Sequence, residues 1–313
     1  MRKVKLLAII LASVMFILGC GTIDAEDVES TEGEATSTAG ETEEVEESWQ
    51  REGDGEHRVI ATTVAIAEIM EQLQVDLVGI PTTYKELAPQ YKDLPEVGIA
   101  DEPDMEIVKS LNPTDVLSVT TLEADVEDYY AQTDTPVSFL DLESVDGMLE
   151  SIEYLGKQYN RVDEAELMIQ KFEDQLTEIE AEIEGKESPS VLILLGIPGS
   201  YLVATENSYL GDLAKRAGAT NVFPGEDDIE YASANTEYLQ QTNPDVILRA
   251  AHGMPDAVVE MFDKEFAEND VWKHFDAVEN GRVYDLEETL FGTTANLAAY
   301  DALLHLVDIF YEE

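Results

Sequence analysis

The chain contains PDMEIVKSLNPTDVLSV at residues 103–119 and ANTEYLQQTNPDVILRA at residues 234–250. Both stretches consist of a helix cap, a glutamate, a short helix, Asn-Pro and an apolar strand. Asp104 and Asn235 are suited to cap the two helices, and the proline ends each helix before β-branched residues continue as a buried strand. The repeat predicts two similar α/β lobes rather than one long sheet.

Further apolar segments continue this pattern in both halves of the chain. Strands are predicted at 58–62, 75–81 and 136–142 in the first half, and at 190–198 and 282–288 in the second, with 200–206 as a further candidate. Helices are predicted at 208–218 and 296–313. Alternating strands and helices are typical of parallel sheets covered on both faces. We therefore predict an α/β fold of two doubly wound lobes.

A long amphipathic segment separates the two halves. In residues 160–189 the apolar positions recur at steps of three and four: Ala165, Met168, Ile169, Phe172, Leu176 and Ile179. This spacing predicts one long helix that joins the lobes as a stiff spine and limits closure to small rotations. The predicted boundaries are 57–159 for the N-terminal lobe, 160–187 for the spine and 188–313 for the C-terminal lobe.

The N-terminus has the pattern of an exported, anchored protein. Basic residues precede an apolar run from Leu6 to Leu18, and Cys20 follows, which predicts a signal peptide at 1–19. The residues before Cys20 resemble the lipobox of bacterial lipoproteins, which implies an acylated cysteine that anchors the protein at the extracellular face of the cytoplasmic membrane. Cys20 is the only cysteine, so no intrachain disulfide can form. Residues 20–56 are predicted to be a disordered acidic stalk.

The formal net charge is −50 at pH 7. Such a chain repels phosphate, so a nucleic acid or an anionic lipid surface is not expected as a partner. The simplest role for this acidity is solubility, as in a saline or alkaline habitat. We expect a monomer.

Eight segments carry a family resemblance: ATTVA (61–65), PTTYKEL (81–87), YKDLPEVG (91–98), GIPGSYLVAT (196–205), SYLGDLAKRAGATNV (208–222), NPDVILRAAHGMP (243–255), FAENDVWKHFDAVENGRVYDLEE (266–288) and FGTTAN (291–296). From about Arg58 onward the chain resembles the helical-backbone (class III) substrate-binding proteins of ABC transporters. It is similar in particular to the haem-binding lipoproteins of the iron-regulated surface determinant uptake system of Gram-positive bacteria. The resemblance implies that the protein captures haem and delivers it to an ABC permease.

The resemblance also implies an iron site. His252, in HGMP (252–255), corresponds to the family's iron ligand, and a neutral imidazole at a strand end is suited to this role. In PEVGIADEP (95–103), Asp101 stands where the family has a methionine. A carboxylate suits ferric iron better than ferrous iron.

Three interpretations of the second axial position remain open: Asp101 binds the iron, Met105 takes over, or the iron is five-coordinate with water. Met254 lies in the same lobe as His252 and would approach the same side of the iron. The change at position 101 also leaves a related tetrapyrrole or a ferric chelate as a possible cargo.

The propionate groups of haem have four candidate partners. Thr62 and Thr63 precede a predicted helix, whose free N–H groups attract anions, although simple N-capping also accounts for these residues. Tyr84 and Lys85 would add a hydrogen bond and the local positive charge. Siderophore receptors of this class usually line the cleft with arginines. Since Arg249 is the only obvious cleft arginine, the sequence favours haem.

Glu106 and Glu237 occupy equivalent positions of the two repeated stretches. The resemblance implies that they dock into arginine pockets of the two permease subunits. Carboxylates are also favoured by the helix dipole in a first turn, which accounts for either residue alone.

Other functions have less support in the sequence. It contains no Gly-x-Ser-x-Gly, His-Glu-x-x-His, P-loop or dinucleotide motif, so we do not expect an enzyme. A receptor for free zinc or manganese would need several converging histidines. Of the four in this chain, His57 lies at the edge of the predicted fold, and His274 and His305 lie on helical patterns where packing or capping accounts for them. The alternatives that remain are transport of a ferric siderophore or cobalamin, and a ligand-binding lipoprotein without a transport role.

Overall fold

The computed structural model describes residues 57–133, 135–225, 229–234, 236–239 and 241–311. Cys20, the predicted signal peptide, the predicted stalk and Asn235 lie outside these residues. In chain order the strands are β1 (Val59–Ala61), β2 (Leu77–Gly79), β3 (Gly98–Ile99), β4 (Glu102–Pro103), β5 (Asp115–Val119), β6 (Val137–Leu140), β7 (Ser190–Ile197), β8 (Ser200–Ala204), β9 (Thr220–Asn221), β10 (Tyr231–Ser233), β11 (Val246–Ala251) and β12 (Val283–Leu286). The helices are α1 (Val64–Gln72), α2 (Met105–Ser110), α3 (Glu123–Ala131), α4 (Val145–Gln158), α5 (Val162–Ile183), α6 (Tyr209–Arg216), α7 (Thr236–Leu239), α8 (Pro255–Glu268), α9 (Asp276–Glu279) and α10 (Ala299–Tyr311).

The N-terminal lobe is built on a parallel sheet of four strands in the order β2-β1-β5-β6. Its two central strands are apolar on both faces. Val59 and Leu117 belong to one buried cluster, and Ile60 and Val116 belong to another. Successive residues of a strand point to opposite faces, so helices are needed on both sides of this sheet.

The sheet of the C-terminal lobe is mixed. Strands β7, β11 and β12 pair in parallel, whereas β8 is antiparallel to β7 and β10 is antiparallel to β8. The predicted parallel pairing therefore does not hold for the candidate strand β8, and β10 is a strand that the sequence analysis did not predict. Only Pro198 and Gly199 separate β7 from β8, and Gly199 has φ +85°. A two-residue connection joins antiparallel strands, because a parallel pair needs a long crossover.

The two repeated stretches occupy equivalent places in the lobes. Helix α2 leads into β5 and helix α7 leads into β11. Strand β5 lies between β1 and β6, and β11 lies between β7 and β12. Each repeat therefore supplies an inner strand with a parallel neighbour on both sides, and the predicted α/β fold class is confirmed.

Helix α5 connects the two sheets. It has 22 residues, which corresponds to a length of about 33 Å. It buries Ala165, Phe172 and Ile179 against neighbouring helices. A Cβ on Gly156 of α4 would lie 2.4 Å from the Ala165 Cβ, so this glycine sets the close approach of α4 and α5.

Hydrogen bonds also link the lobes next to the spine. The Ala295 N–H donates to the Leu142 carbonyl at 2.7 Å, and the Val145 N–H donates to Asp212 Oδ2 at 2.9 Å.

Within the described residues, no helix combines the length and hydropathy needed to span a membrane.

Candidate ligand-binding cleft

A cavity of about 1270 Å³ is lined by loops of both lobes. Several of its lining residues follow the carboxyl ends of parallel strands: Thr62 and Thr63 after β1, Thr121 after β5, His252 and Gly253 after β11, and Glu288 after β12. Ligands of open α/β sheets bind outside the carboxyl ends of the strands. The position of the cavity therefore follows from the direction of the strands.

His252 lies at the point where β11 leaves the sheet. Its backbone N–H donates to the Gly196 carbonyl at 2.8 Å, which continues the pairing of β11 with β7. Gly253 and Met254 then have φ of +72° and +49°, and helix α8 begins at Pro255. Two consecutive left-handed residues turn the chain sharply. The turn leaves His252 exposed on the wall of the cavity.

Asp101 lies at the tip of a small hairpin from the N-terminal lobe. Strands β3 and β4 pair antiparallel, and Ala100 and Asp101 form the connection between them. Gly98, with φ +97°, starts the hairpin, and a Cβ there would lie 2.7 Å from the Glu102 carbonyl oxygen. Glycine is required at this position, and the hairpin carries Asp101 into the lining of the cavity.

Thr62 and Thr63 line the cavity at the start of α1. The Thr62 hydroxyl donates to the Leu117 carbonyl at 3.0 Å, and Thr62 is only 2% exposed. Thr63 caps α1, because its Oγ1 accepts a hydrogen bond from the Ile66 N–H at 3.3 Å. Both hydroxyls therefore have structural partners, and the helix N-terminus adds a positive partial charge to this side of the cavity.

Tyr84 crosses the cavity to the other lobe. Its hydroxyl donates a hydrogen bond to Glu288 Oε1, and the Gly253 N–H donates to the same oxygen at 3.3 Å. Desolvation and the hydrogen bond to Glu288 raise the pKa of Tyr84 to about 12. The phenol is therefore neutral at physiological pH and acts as a hydrogen-bond donor.

The described lining residues are mostly acidic among those that carry charge. They include one lysine, Lys85, and six carboxylates, namely Glu68, Glu71, Glu86, Asp101, Glu288 and Asp301. Burial raises the pKa of Glu68, and Lys85 partly offsets this rise. The cavity therefore offers an anionic ligand one basic side chain, at the end where Tyr84 also lies.

Three predicted ligand contacts do not line the cavity. Met105 is partly buried and packs against the apolar cluster of the N-terminal lobe. Met254 is 64% exposed at the start of α8. Arg249 is 8% exposed, and it pairs with Asp285 at 2.5 Å and with Asp263 of α8 at 3.0 Å. Arg249 thus lies on the side of the sheet that α8 covers and outside the cavity lining.

The two predicted docking residues lie on short helices. Glu106 is exposed in the first turn of α2, where Asp104 Oδ1 accepts hydrogen bonds from the Glu106 and Ile107 N–H groups at 3.0 and 3.2 Å. Glu237 belongs to α7, and its side chain lies outside the described part of the structure.

The fold and the sequence agree on the family. The sequence matches the model of the periplasmic binding protein family over residues 59–290, which contain both sheets and most of the residues that line the cavity. The chain belongs to the periplasmic binding protein family. The resemblance inferred from the sequence motifs is thereby confirmed.

This periplasmic binding protein is similar over most of its length to named proteins and to solved structures. It is 43% identical over 318 residues to the high-affinity heme uptake system protein IsdE of Staphylococcus aureus strain Newman, covering all of this chain and 99% of the relative. The crystal structure of S. aureus IsdE complexed with heme has a TM-score of 0.79 and 48% identity, covering 82% of this chain and all of that one. An ABC transporter substrate-binding protein from Listeria monocytogenes EGD-e has a TM-score of 0.78 and 48% identity, covering 82% of this chain and 99% of that one.

Sequence reasoning missed Glu288 of this binding protein. The residue follows β12 by two positions, so the rule that sites collect at strand ends was sufficient to mark it. Its partnership with Tyr84 was not predictable, because the two residues are 204 positions apart and no sequence pattern connects them.

Proposed function

We propose that this protein is the substrate-binding component of an ABC importer and that its ligand is haem. The observation that carries the proposal is that His252 and Asp101, from different lobes, line the same cavity. A flat macrocycle between the lobes would present one face of its iron to each residue. Imidazole is a common axial ligand of haem iron, and a carboxylate favours ferric iron.

The negatively charged propionate groups of haem are matched by basic and hydrogen-bond-donating groups of the cavity lining. Tyr84 and Lys85 line the cavity, and so do Thr62 and Thr63 at the N-terminus of α1. Haem carries its two propionates on one edge, so one basic region is enough to receive them. A ferric chelate with negative charge on several sides would meet the six lining carboxylates.

The volume of the cavity also favours a large ligand. Sites for small molecules usually measure about 300–1,000 Å³, and this cavity measures about 1270 Å³. The similarity to a heme uptake protein and to its heme complex supports the same assignment. We propose further that Cys20 is the lipid anchor and that the permease binds Glu106 and Glu237, which rests on the sequence resemblance.

Titration of the purified protein with haemin tests the proposal. The Soret and charge-transfer bands are recorded for the wild type and for His252→Ala, Asp101→Ala and His274→Ala. We expect a saturable one-to-one spectral change in the wild type that collapses in His252→Ala. Asp101→Ala should retain binding and shift the charge-transfer band. His274 is an exposed histidine outside the cavity lining, so its variant should behave as the wild type.

Two results would count against this assignment. A gradual, non-saturating change in the wild type, like that of haemin adsorbing to any protein, would point to a cargo other than haem. Unchanged bands in Asp101→Ala would leave haem as the ligand and remove Asp101 from the iron.

A further inference from the structure

One hydrogen bond spans the cavity and serves no evident packing purpose. The Tyr84 hydroxyl, from the N-terminal lobe, donates to Glu288 Oε1 of the C-terminal lobe. The residue Tyr84 is 69% exposed, so its ring contributes little to either core. The Gly253 N–H also donates to Glu288 Oε1, at 3.3 Å, which holds the carboxylate beside the loop that carries His252.

This hydrogen bond occupies the only donor of the Tyr84 side chain. A phenol carries one O–H, and the pKa of about 12 keeps that proton in place at neutral pH. A ligand carboxylate that uses the Tyr84 hydroxyl must therefore first displace Glu288. The displaced carboxylate remains nearby through Gly253, and it repels the anion that replaced it.

We propose that Glu288 is a specificity-determining residue that acts as an internal substitute for the carboxylate of the ligand. It holds Tyr84 in this structure and gives it up to an incoming carboxylate. Its competition therefore sets how strongly the protein prefers a porphyrin with free propionates to one whose propionates are esterified. This inference rests on the proposed function and deepens it.

The competition has a direction that can be measured. A ligand with free carboxylates competes with Glu288 for the same hydroxyl and is also repelled by its charge. An ester group is uncharged and a weaker hydrogen-bond acceptor than a carboxylate. It therefore forms a weaker hydrogen bond with Tyr84 and is repelled less by the charge of Glu288. Removal of the charge at position 288 should therefore favour the free acid more than the ester.

The test uses ferric protoporphyrin IX and its dimethyl ester as ligands. Dissociation constants for both are measured with the wild type, Glu288→Gln, Tyr84→Phe, the double variant and Glu287→Gln. Glu287 is exposed, adjacent to Glu288 and outside the cavity lining, so its variant controls for the lost charge. Circular dichroism and urea unfolding check that each variant is folded.

We expect Glu288→Gln to raise the preference for the free acid over the ester by about tenfold. Glu287→Gln should change this preference by less than about twofold, since it alters only the exposed charge. In the Tyr84→Phe background Glu288→Gln should change this preference less than it does in the wild type, because the competition for the hydroxyl is gone and only the charge repulsion by Glu288 remains to be removed.

The outcomes separate the two proposals. If the wild type binds the free acid and Glu288→Gln leaves the preference unchanged, the inference is wrong and the proposed function stands. If Glu288→Gln weakens both ligands equally, Glu288 is a structural brace and the inference is again wrong. Binding of neither porphyrin by the folded wild type would overturn the proposed function and this inference with it.

Discussion

Asp212 Oδ2 accepts a hydrogen bond from the Val145 backbone N–H at 2.9 Å, so a residue of helix α6 caps the first turn of helix α4. The N–H groups of a first turn have no partner within their own helix, and Ser144 caps only the Gly147 N–H. Arg216 extends the contact, because it lies 2.9 Å from Asp212 and 2.8 Å from Asp146. The C-terminal lobe therefore fixes the start of the helix that leads into the spine.

Asp212→Ala should lower the free energy of unfolding by about 1–3 kcal/mol, because it leaves a partly buried N–H and part of the Arg216 guanidinium without their acceptor. The other partner of Arg216 is Asp146, and the side chain of Asp146 is 72% exposed. Asp146→Ala should therefore cost less than about 1 kcal/mol. Urea unfolding of both variants measures the difference. Equal losses would mean that Asp212 does not act as a cap.

Gly156→Ala should destabilise the protein by about 1–3 kcal/mol, although alanine is the better helix former. The added methyl group would lie 2.4 Å from the Ala165 Cβ and would push α4 away from the spine. The double variant Gly156→Ala/Ala165→Gly restores the space and should be more stable than Gly156→Ala alone. Urea unfolding of Gly156→Ala, Ala165→Gly and the double variant tests this. Simple additivity of the two single changes would contradict the proposed close approach.

Much of the fold could be predicted because the signals are local. Strand β7 is a continuous apolar run, and the predicted cap Asp104 accepts hydrogen bonds from the first turn of α2. The spacing of Ala165, Phe172 and Ile179 gave the buried face of the spine. Such features depend on residues a few positions apart, which is the range over which sequence patterns are informative.

The parts that were not predicted depend on distant partners. Arg249 was expected in the cleft. A strand has two faces, and the sequence does not say which of them α8 covers. Asp263 and Asp285 decide this by pairing with the guanidinium on the α8 side. The contact of Asp212 with Val145 likewise joins residues 67 positions apart. Only the assembled lobes bring these groups together.

Glu230 should make the protein less stable as the pH rises from 4.5 to about 7. Burial, with the nearby charges of Glu143 and Asp141, raises the pKa of Glu230 from 4.5 to about 7, and its Oε1 is buried without a hydrogen-bond partner among the described residues. Between these two pKa values the folded state therefore keeps a proton on Glu230 that the unfolded state has already lost. The stability due to this proton is present below pH 4.5 and is lost as the pH rises to about 7.

Glu230→Gln tests this effect. The variant should be more stable than the wild type by about 1–3 kcal/mol at pH 8, and the difference should disappear toward pH 4.5. Glu206→Gln, at an exposed position of the same lobe, controls for the change in net charge. Urea unfolding at pH 5, 6, 7 and 8 gives the comparison. A difference between Glu230→Gln and the wild type that does not vary with pH would contradict the assignment.

Loss of Glu106 and Glu237 should abolish transport and leave ligand capture intact. Replacement of Glu106 retains the Asp104 cap of α2, so the fold should tolerate it. Loss of a carboxylate from a docked charge pair costs about 2–5 kcal/mol, which predicts at least a tenfold fall in haem-stimulated ATP hydrolysis by the reconstituted permease. The matched control is Glu123→Ala/Glu206→Ala, which removes one exposed glutamate from each lobe. Because both pairs of changes remove the same charge, a similar fall in the control would mean that net charge, and not docking at α2 and α7, governs the permease. Unchanged hydrolysis in Glu106→Ala/Glu237→Ala would show that the permease binds elsewhere.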